Sequence, residues 1–105
     1  MEDIIFSIIS YGGDAKALAY EAIEASDLGD FDKAQSLLDE ADESLKVAHN
    51  TQTEMLTEEV NGNNKEVSLL LVHAQDHLMT AIEVRSLAER FIAINKRISR
   101  LEEEK

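Results

Sequence analysis

Hydrophobic residues recur at intervals of three and four along most of the chain, which is the period of an amphipathic α-helix. The first periodic segment extends from residue 3 to residue 27. Its glycine pair, Gly12 and Gly13, should serve a close approach of another helix or a bend, because glycine is unfavourable in a helix interior. The apolar positions of this predicted first helix are Ile4, Ile5, Ile8, Ala15, Leu18, Ala19, Ala22 and Ile23.

A second helix is predicted after Leu28, Gly29 and Asp30, which have the side chains of a helix end followed by a new helix cap. Positions 31, 34, 38, 41, 45, 48, 52 and 55 then form a heptad-like seam. Gln52 is the one polar residue that interrupts it. The seam predicts a helix from residue 31 to about residue 60, joined to the first by a tight turn.

The third periodic segment follows a polar cluster at residues 61–65, in which Asn64 has a side chain suited to a helix cap. We expect the third helix to begin at about Glu66 and to run toward the acidic tail at residues 102–104. Three helices joined by two loops predict an all-α protein, most simply an antiparallel three-helix bundle that forms a single domain over residues 1–105.

The residue composition and the net charge exclude several kinds of site and binding partner. The 105 residues include no proline and no cysteine, and the formal net charge is −12 at pH 7. Disulfides and cysteine-ligated zinc are therefore excluded, and the negative charge would repel nucleic acid and anionic membranes. The sequence shows neither a signal-peptide pattern nor an apolar run of about 18 residues, so we expect a cytoplasmic protein without direct membrane insertion.

The start of the third helix is apolar on nearly every side. Residues 67–72 read VSLLLV, whereas a helix in a monomeric three-helix bundle needs only one apolar stripe. The chain offers no fourth helix to cover this segment. We therefore expect a second copy of the same chain to cover it, which predicts a homo-oligomer.

One carboxylate falls in this apolar region. Helical spacing places Asp76 in a row with Leu69, Val72 and Met79. A buried ionised carboxylate requires a cation, a hydrogen-bond donor or a raised pKa, and a symmetric oligomer would repeat the charge in every subunit. A shared metal ion would neutralise the repeated charge.

Two histidines form the other unusual cluster. His73 and His77 lie four residues apart on one helical face, with Thr80 one turn further. One hypothesis is a metal site made of His73, Asp76 and His77. A second is an imidazole that accepts and passes on a phosphoryl group, with Gln75, His77 and Thr80 as neighbouring polar groups that could donate to it. A third is a structural or adaptor bundle in which both histidines are incidental. No P-loop or kinase-type glycine loop supports the use of ATP.

The central motif resembles that of a known family. Residues 72–80, VHAQDHLMT, are similar to the signature of the lactose/cellobiose-type enzyme IIA of the bacterial sugar phosphotransferase system. Further resemblance lies in residues 11–15 (YGGDA), residues 29–31 (GDF) with the pair at 33–34, the pair at 48–49 and the pair at 52–53. The resemblance covers nearly the whole chain.

The resemblance implies a phosphocarrier that is a homotrimer. It matches His73 to a phosphorylated histidine that receives its phosphoryl group from the histidine phosphocarrier HPr and passes it to a cysteine of enzyme IIB. It also matches Asp76 to a metal-binding aspartate, three copies of which share one cation, usually Mg²⁺, on the trimer axis. Gln75, His77 and His49 correspond to supporting residues of the family site.

Two further expectations follow from this assignment. Because the phosphoryl group must be reached by two partners in turn, we expect His73 to be partly buried at the mouth of a cleft between subunits. The sugar is not fixed by the resemblance, although Ala74 and the VSLLLV run favour a cellobiose- or chitobiose-type protein over a lactose-type one.

Overall fold

A computed structural model describes residues 2–63 and 66–104 as three α-helices, and these described residues contain no β-strand. The helices are α1 (Glu2–Asp27), α2 (Phe31–Val60) and α3 (Leu69–Glu103). They form an elongated bundle with extents of 62 × 20 × 20 Å. α1 packs against both other helices, whereas α2 and α3 contact each other less. The predicted all-α three-helix fold is confirmed.

The turn between α1 and α2 has the predicted chemistry. Gly29 has a φ of +80°, a conformation that glycine adopts without steric cost. The Asp30 side chain accepts a hydrogen bond from the Lys33 backbone N–H at 3.2 Å and so caps α2. Asn95 of α3 donates from Nδ2 to Ser26 Oγ and to Asp27 Oδ1, each at 2.8 Å. These bonds hold the end of α1 against α3.

The start of α3 differs from the prediction. The helix begins at Leu69 instead of about Glu66, because Ser68 is extended and its hydroxyl oxygen accepts the Leu71 N–H at 3.1 Å. Asn64, the cap suggested by the sequence, lies outside the described residues. The helix continues through the acidic tail to Glu103.

Small side chains dominate the core. The larger buried residues form two clusters, one around Leu38 and Ile92 near the α1–α2 turn and one around Ile5, Ile8 and Leu78 at the opposite end. Alanines fill most other buried positions, and short side chains allow the helix axes to approach closely. The fully buried alanines are Ala15, Ala19, Ala22, Ala34, Ala41, Ala48, Ala74, Ala81 and Ala88.

The two glycines of α1 have different surroundings within one continuous helix. Gly12 is buried, and a Cβ added there would lie 3.7 Å from the His77 carbonyl oxygen and 3.7 Å from Leu78 Cα. A Cβ added at Gly13 would meet no atom within 4 Å. The expected close approach is thus found at Gly12, where α1 lies directly against the backbone of α3.

An arginine links the two helices that contact each other less. Arg85 of α3 donates to both carboxylate oxygens of Asp42 of α2, from Nε at 2.7 Å and from Nη2 at 3.0 Å, and it also pairs with Glu89. The hydrogen bonds that Arg85 donates to Asp42 raise the pKa of the Arg85 guanidinium. Among the described residues, no helix is both long and apolar enough to cross a membrane.

Candidate functional site

The two histidines of α3 contact each other. The ring centroids of His73 and His77 are 4.5 Å apart, and the ring planes meet at 79° in an edge-to-face arrangement. His73 is exposed and His77 is half-buried. Because the Gly12 segment of α1 packs against the His77 backbone, the inner histidine is supported by two helices. The arrangement leaves the outer imidazole open to another molecule.

The Thr80 hydroxyl is not available as a hydrogen-bond donor beside the His73–His77 pair. Its Oγ1 donates to the Asp76 carbonyl oxygen at 2.8 Å, one turn back in the same helix. The sequence pattern suggested Thr80 as a further donor at the histidine face. In the structure the hydroxyl proton is already donated to the Asp76 carbonyl oxygen.

Asp76 lies in the predicted row, and the row faces solvent in the single chain. Leu69 is 86 % exposed, Val72 51 % and Met79 52 %, and the Asp76 side chain between them is exposed as well. The expected burial of this carboxylate is therefore absent within one chain. A covering molecule is required to bury it.

Gln75 lies on the side of α3 opposite His73, where it is hydrogen-bonded to α2. Gln52 of α2 donates from Nε2 to Gln75 Oε1, and both side chains are half-buried. The polar residue that interrupts the apolar seam of α2 is thus paired with a residue of the central motif. The sequence marked both glutamines, but it gave no sign that they bond to each other across 23 residues.

His49 is not part of the histidine pair. It is exposed on α2, three residues before Gln52 and therefore near the same side of that helix. Among the residues that the structure describes, it makes no ring contact and no hydrogen bond with His73 or His77. One chain therefore does not bring His49 to the His73 ring.

The side chains of one chain do not assemble a metal site. In residues 2–63 and 66–104, no group of three His, Cys, Asp or Glu side chains is arranged to hold a metal ion. The hypothesis that His73, Asp76 and His77 together bind a metal in one subunit is therefore not supported. Asp76 offers the hard oxygen ligand that Mg²⁺ prefers, but a single carboxylate needs further ligands from elsewhere.

The exposed apolar row extends beyond the four-residue row in which helical spacing places Asp76. It continues along α3 beyond Met79, interrupted by the exposed carboxylate of Glu83, to the end of the helix. The sequence contains this longer row as apolar residues spaced three and four positions apart. We call these residues, together with Leu69, Val72, Asp76 and Met79, the outer stripe: Glu83, Leu87, Phe91, Ile94, Ile98 and Leu101.

Comparison with known proteins gives one consistent family. Residues 3–96 match the family model of the lactose/cellobiose-specific IIA subunit of the PTS system. The chain is also 44 % identical over 99 residues to the lichenan-specific phosphotransferase enzyme IIA component of Bacillus subtilis (strain 168). That alignment covers 94 % of this chain and 90 % of the relative.

Two solved structures with the same fold are named as IIA proteins of the phosphotransferase system. The PTS cellobiose-specific enzyme IIA from Bacillus anthracis matches with a TM-score of 0.91 and 40 % identity, over 93 % of this chain and 90 % of that one. The IIA(chitobiose)–HPr complex of the N,N′-diacetylchitobiose branch of the Escherichia coli phosphotransferase system matches with a TM-score of 0.82 and 34 % identity. Here the match covers 93 % of this chain and 95 % of that chain.

Proposed function

Because the chain belongs to the lactose/cellobiose-specific IIA family of the phosphotransferase system, we propose that it carries a phosphoryl group on His73 from HPr to enzyme IIB. The observation that supports this role most directly is the geometry of His73, an exposed imidazole seated against the half-buried ring of His77. Family membership favours this phosphocarrier over the incidental histidines of an adaptor bundle.

The chemistry is two successive displacements at phosphorus. A neutral His73 imidazole has one unprotonated nitrogen, which attacks the phosphorus of phospho-HPr. The new P–N bond forms as the P–N bond of the donor breaks. A cysteine thiolate of enzyme IIB then attacks the same phosphorus, so that a P–S bond forms and the P–N bond to His73 breaks. No ATP enters either step.

His77 would stabilise the phosphorylated state. Its ring lies one turn from the His73 ring, and its backbone lies against α1 at Gly12. A ring N–H of His77 can donate to a phosphoryl oxygen, which offsets the negative charge that phosphorylation adds to a chain already at −12. An exposed His73 remains accessible to the donor and then to the acceptor.

Assembly as a homotrimer would cover the outer stripe. Leu69, Leu87 and Leu101 are each more than half exposed in one chain, and they extend over nearly the whole of α3. A continuous apolar stripe of this length on a helix is typical of association with other helices. We take the occupants to be two further copies of this chain, which is the number that the family resemblance implies.

The same assembly provides a setting for a cation. Three Asp76 side chains would converge where the outer stripes of the three copies meet, near the start of α3, and an ionised carboxylate there needs neutralisation. Carboxylate oxygens suit Mg²⁺, so Asp76 from each copy is the residue that would hold it. The cation would supply charge neutralisation there, and it takes no part in the transfer from His73.

The partners and location follow the same assignment. HPr is the proposed donor because a solved relative of this fold is a IIA–HPr complex. Enzyme IIB is the proposed acceptor, in the cytoplasm. The transported sugar is a disaccharide such as cellobiose, chitobiose or lactose, and relatives named for lichenan and cellobiose have similar identity to this chain.

Intact-mass measurement tests the proposal. The purified chain is incubated with enzyme I, HPr and phosphoenolpyruvate, and we expect the mass of one phosphoryl group to be added. The added group should be acid-labile and stable in alkali. His73→Ala should remain unmodified, while His49→Ala, which removes an exposed histidine outside the pair, should still accept one group. An unmodified wild type, or equal labelling of His73→Ala, would restore the adaptor hypothesis.

A further inference from the structure

The part of the outer stripe between Leu87 and Leu101 has the spacing of a coiled coil. Its five apolar residues follow one another at alternating intervals of four and three, so they occupy the a and d positions of a heptad. Phe91 and Ile98 are a residues, and Leu87, Ile94 and Leu101 are d residues. Each is between 46 % and 60 % exposed in the single chain. Isoleucine at both kinds of position, as at Ile94 and Ile98, favours three or four strands over two.

Side chains of opposite charge flank this apolar seam. Arg97 precedes Ile98 at a g position, and Glu102 follows Leu101 at an e position. Five residues correspond to about 140° around an α-helix, so the two charges lie on opposite sides of the seam and cannot pair within one helix. Both side chains are exposed, and in the part of the chain that the structure describes neither forms an ion pair.

Arg97 also lines a groove beside the seam. The groove has a volume of about 210 Å³, and its other lining residues are Arg100, Leu101 and Glu104. Its two guanidinium groups outnumber its one carboxylate, and no ion pair within residues 2–63 and 66–104 joins them. A carboxylate from outside the chain therefore fits this groove.

A parallel ring of copies brings Arg97 and Glu102 together. In a closed ring every interface is heterologous, so each copy presents one side of its seam to the next copy and the opposite side to the previous one. When the α3 helices are parallel and in register, Arg97 of one copy and Glu102 of its neighbour differ in height by about 7.5 Å, which two long side chains can span. Antiparallel helices that bury the same stripe would leave these charges at opposite ends of the assembly.

We propose that Arg97 of each copy forms an ion pair with Glu102 of the next copy, and that these pairs make the ring parallel, in register and selective for copies of this chain. The inference rests on the homotrimer in the proposed function and adds the contact that selects its members. Ion pairs at e and g positions set the choice and orientation of partners in coiled coils. A chain with a different charge at either position would meet like charges or leave a charge unpaired.

The pairs are remote from the phosphoryl acceptor. Arg97 is 24 residues beyond His73 on the same helix, which corresponds to about 36 Å along its axis. Substitutions at Arg97 or Glu102 therefore change the assembly without touching the His73 ring. Assembly and phosphorylation can be measured separately.

Charge reversal tests the pairing. Arg97→Glu and Glu102→Arg each place like charges at all three interfaces of a trimer. An exposed ion pair corresponds to about a fivefold change in association, so three should raise the dissociation constant of the trimer by about a hundredfold at low salt. The combined variant Arg97→Glu/Glu102→Arg should return it to the wild-type value. Sedimentation at low and high salt measures these constants, and the differences should shrink at high salt.

Arg90→Glu is the matched control. Arg90 is the g residue one heptad earlier, and the corresponding e residue is the neutral Asn95, which is already bonded to α1 of its own chain. Glu102→Arg should therefore fail to rescue Arg90→Glu. A dissociation constant that Arg97→Glu leaves unchanged, an absence of recovery in the combined variant, or equal recovery of Arg90→Glu would overturn the pairing.

Mixed refolding tests the selectivity. Wild-type chains and Arg97→Glu/Glu102→Arg chains of different mass are unfolded, combined in equal amounts and refolded at low salt. Random assembly would give about three quarters mixed trimers, whereas two like-charged interfaces in every mixed trimer should lower that fraction to about one tenth. Native mass spectrometry counts the species. A mixed fraction of three quarters would overturn the selectivity.

The ion pair and the phosphocarrier role fail separately. If the charge reversals act as expected but wild-type His73 accepts no phosphoryl group, only the phosphocarrier role fails. If His73 is phosphorylated and the reversals leave the trimer unchanged, only the ion pair fails. A wild-type chain that stays monomeric would overturn the ion pair whatever the result of phosphorylation.

Discussion

The imidazole ring of His73 meets the ring of His77 edge to face, with centroids 4.5 Å apart. The exposed ring is the proposed phosphoryl acceptor, and the half-buried ring belongs to a residue whose backbone lies against α1 at Gly12. A phosphoryl group on the outer ring would lie within reach of a donor whose backbone is packed between two helices. This preorganised donor distinguishes the pair from two independent surface histidines.

His77→Ala should therefore slow transfer without abolishing it. We expect His73 still to be phosphorylated in this variant, with the exchange between His73 and IIB slowed about tenfold by loss of a charge-assisted hydrogen bond. Quench-flow measurement with purified HPr and IIB checks this rate in both directions. Light scattering should show the same assembly as the wild type.

Thr80→Val is the matched control for that experiment. The Thr80 hydroxyl donates to the Asp76 carbonyl within α3, so its removal should leave the transfer rates close to those of the wild type. Unchanged rates for His77→Ala would assign His77 to packing alone. Slow transfer by Thr80→Val would show that its hydroxyl leaves the helix backbone to reach the phosphoryl group.

Gly13→Ala should stabilise the protein. Gly13 lies inside α1, and a Cβ there meets nothing within 4 Å, so the substitution gains helix propensity without a steric cost. We expect the free energy of unfolding to rise by about 0.5–1 kcal/mol. Chemical denaturation measures the change.

Gly29→Ala is the contrasting substitution in the same test. Its φ of +80° is strained for alanine, so the free energy of unfolding should fall by about 1 kcal/mol even though no atom obstructs the new Cβ. A stabilised Gly29→Ala would show that the turn relaxes to another conformation. A destabilised Gly13→Ala would imply that a neighbouring copy packs at that position.

The helices of this fold could be predicted well from the sequence because each local signal agreed with the next. The apolar periods and the Gly29–Asp30 pair predicted α1, α2 and the turn between them as the structure has them. The apolar pattern extends before α3 to Val67, so it predicts a helix start three residues early. The residue that fixes the start of α3 is Ser68, whose side chain caps the helix.

The site was predicted less completely than the fold. Spacing alone identified His73 and His77 as neighbours, because residues four apart share a helical face. Spacing also places Gln75 about 200° around the helix from His73, so the expectation that Gln75 is a polar neighbour of His73 does not hold within one chain. The bond between Gln52 and Gln75 depends on how α2 and α3 pack, and no local pattern contains that information.

Asp76→Leu tests the proposed cation. In the proposed trimer, three ionised carboxylates would lie within an apolar interface and would require a metal ion, so chelation should weaken the assembly. The variant removes these charges and adds apolar surface, and we expect a trimer that a chelator no longer affects. Sedimentation with and without a chelator measures the difference. A wild-type trimer that is indifferent to chelation and to added Mg²⁺ would remove the cation from the assembly.

Glu83 provides the last test, because it is the other carboxylate on the outer stripe. It lies one turn from Met79 and one turn from Leu87, both of which are more than half exposed in the single chain. If three copies associate along this stripe, three Glu83 side chains meet in an apolar setting. No described side chain forms an ion pair with Glu83 within the chain.

Glu83→Leu should therefore strengthen the trimer. The substitution removes three repelling charges and buries an apolar side chain in each copy, which is worth about 2 kcal/mol per chain. We expect a higher midpoint of thermal unfolding and a lower dissociation constant of the trimer, measured by calorimetry and sedimentation. Glu43→Leu, the same exchange on the exposed face of α2, is the control and should leave the dissociation constant unchanged. Equal effects of the two substitutions would show that the outer stripe is not the surface along which the copies associate.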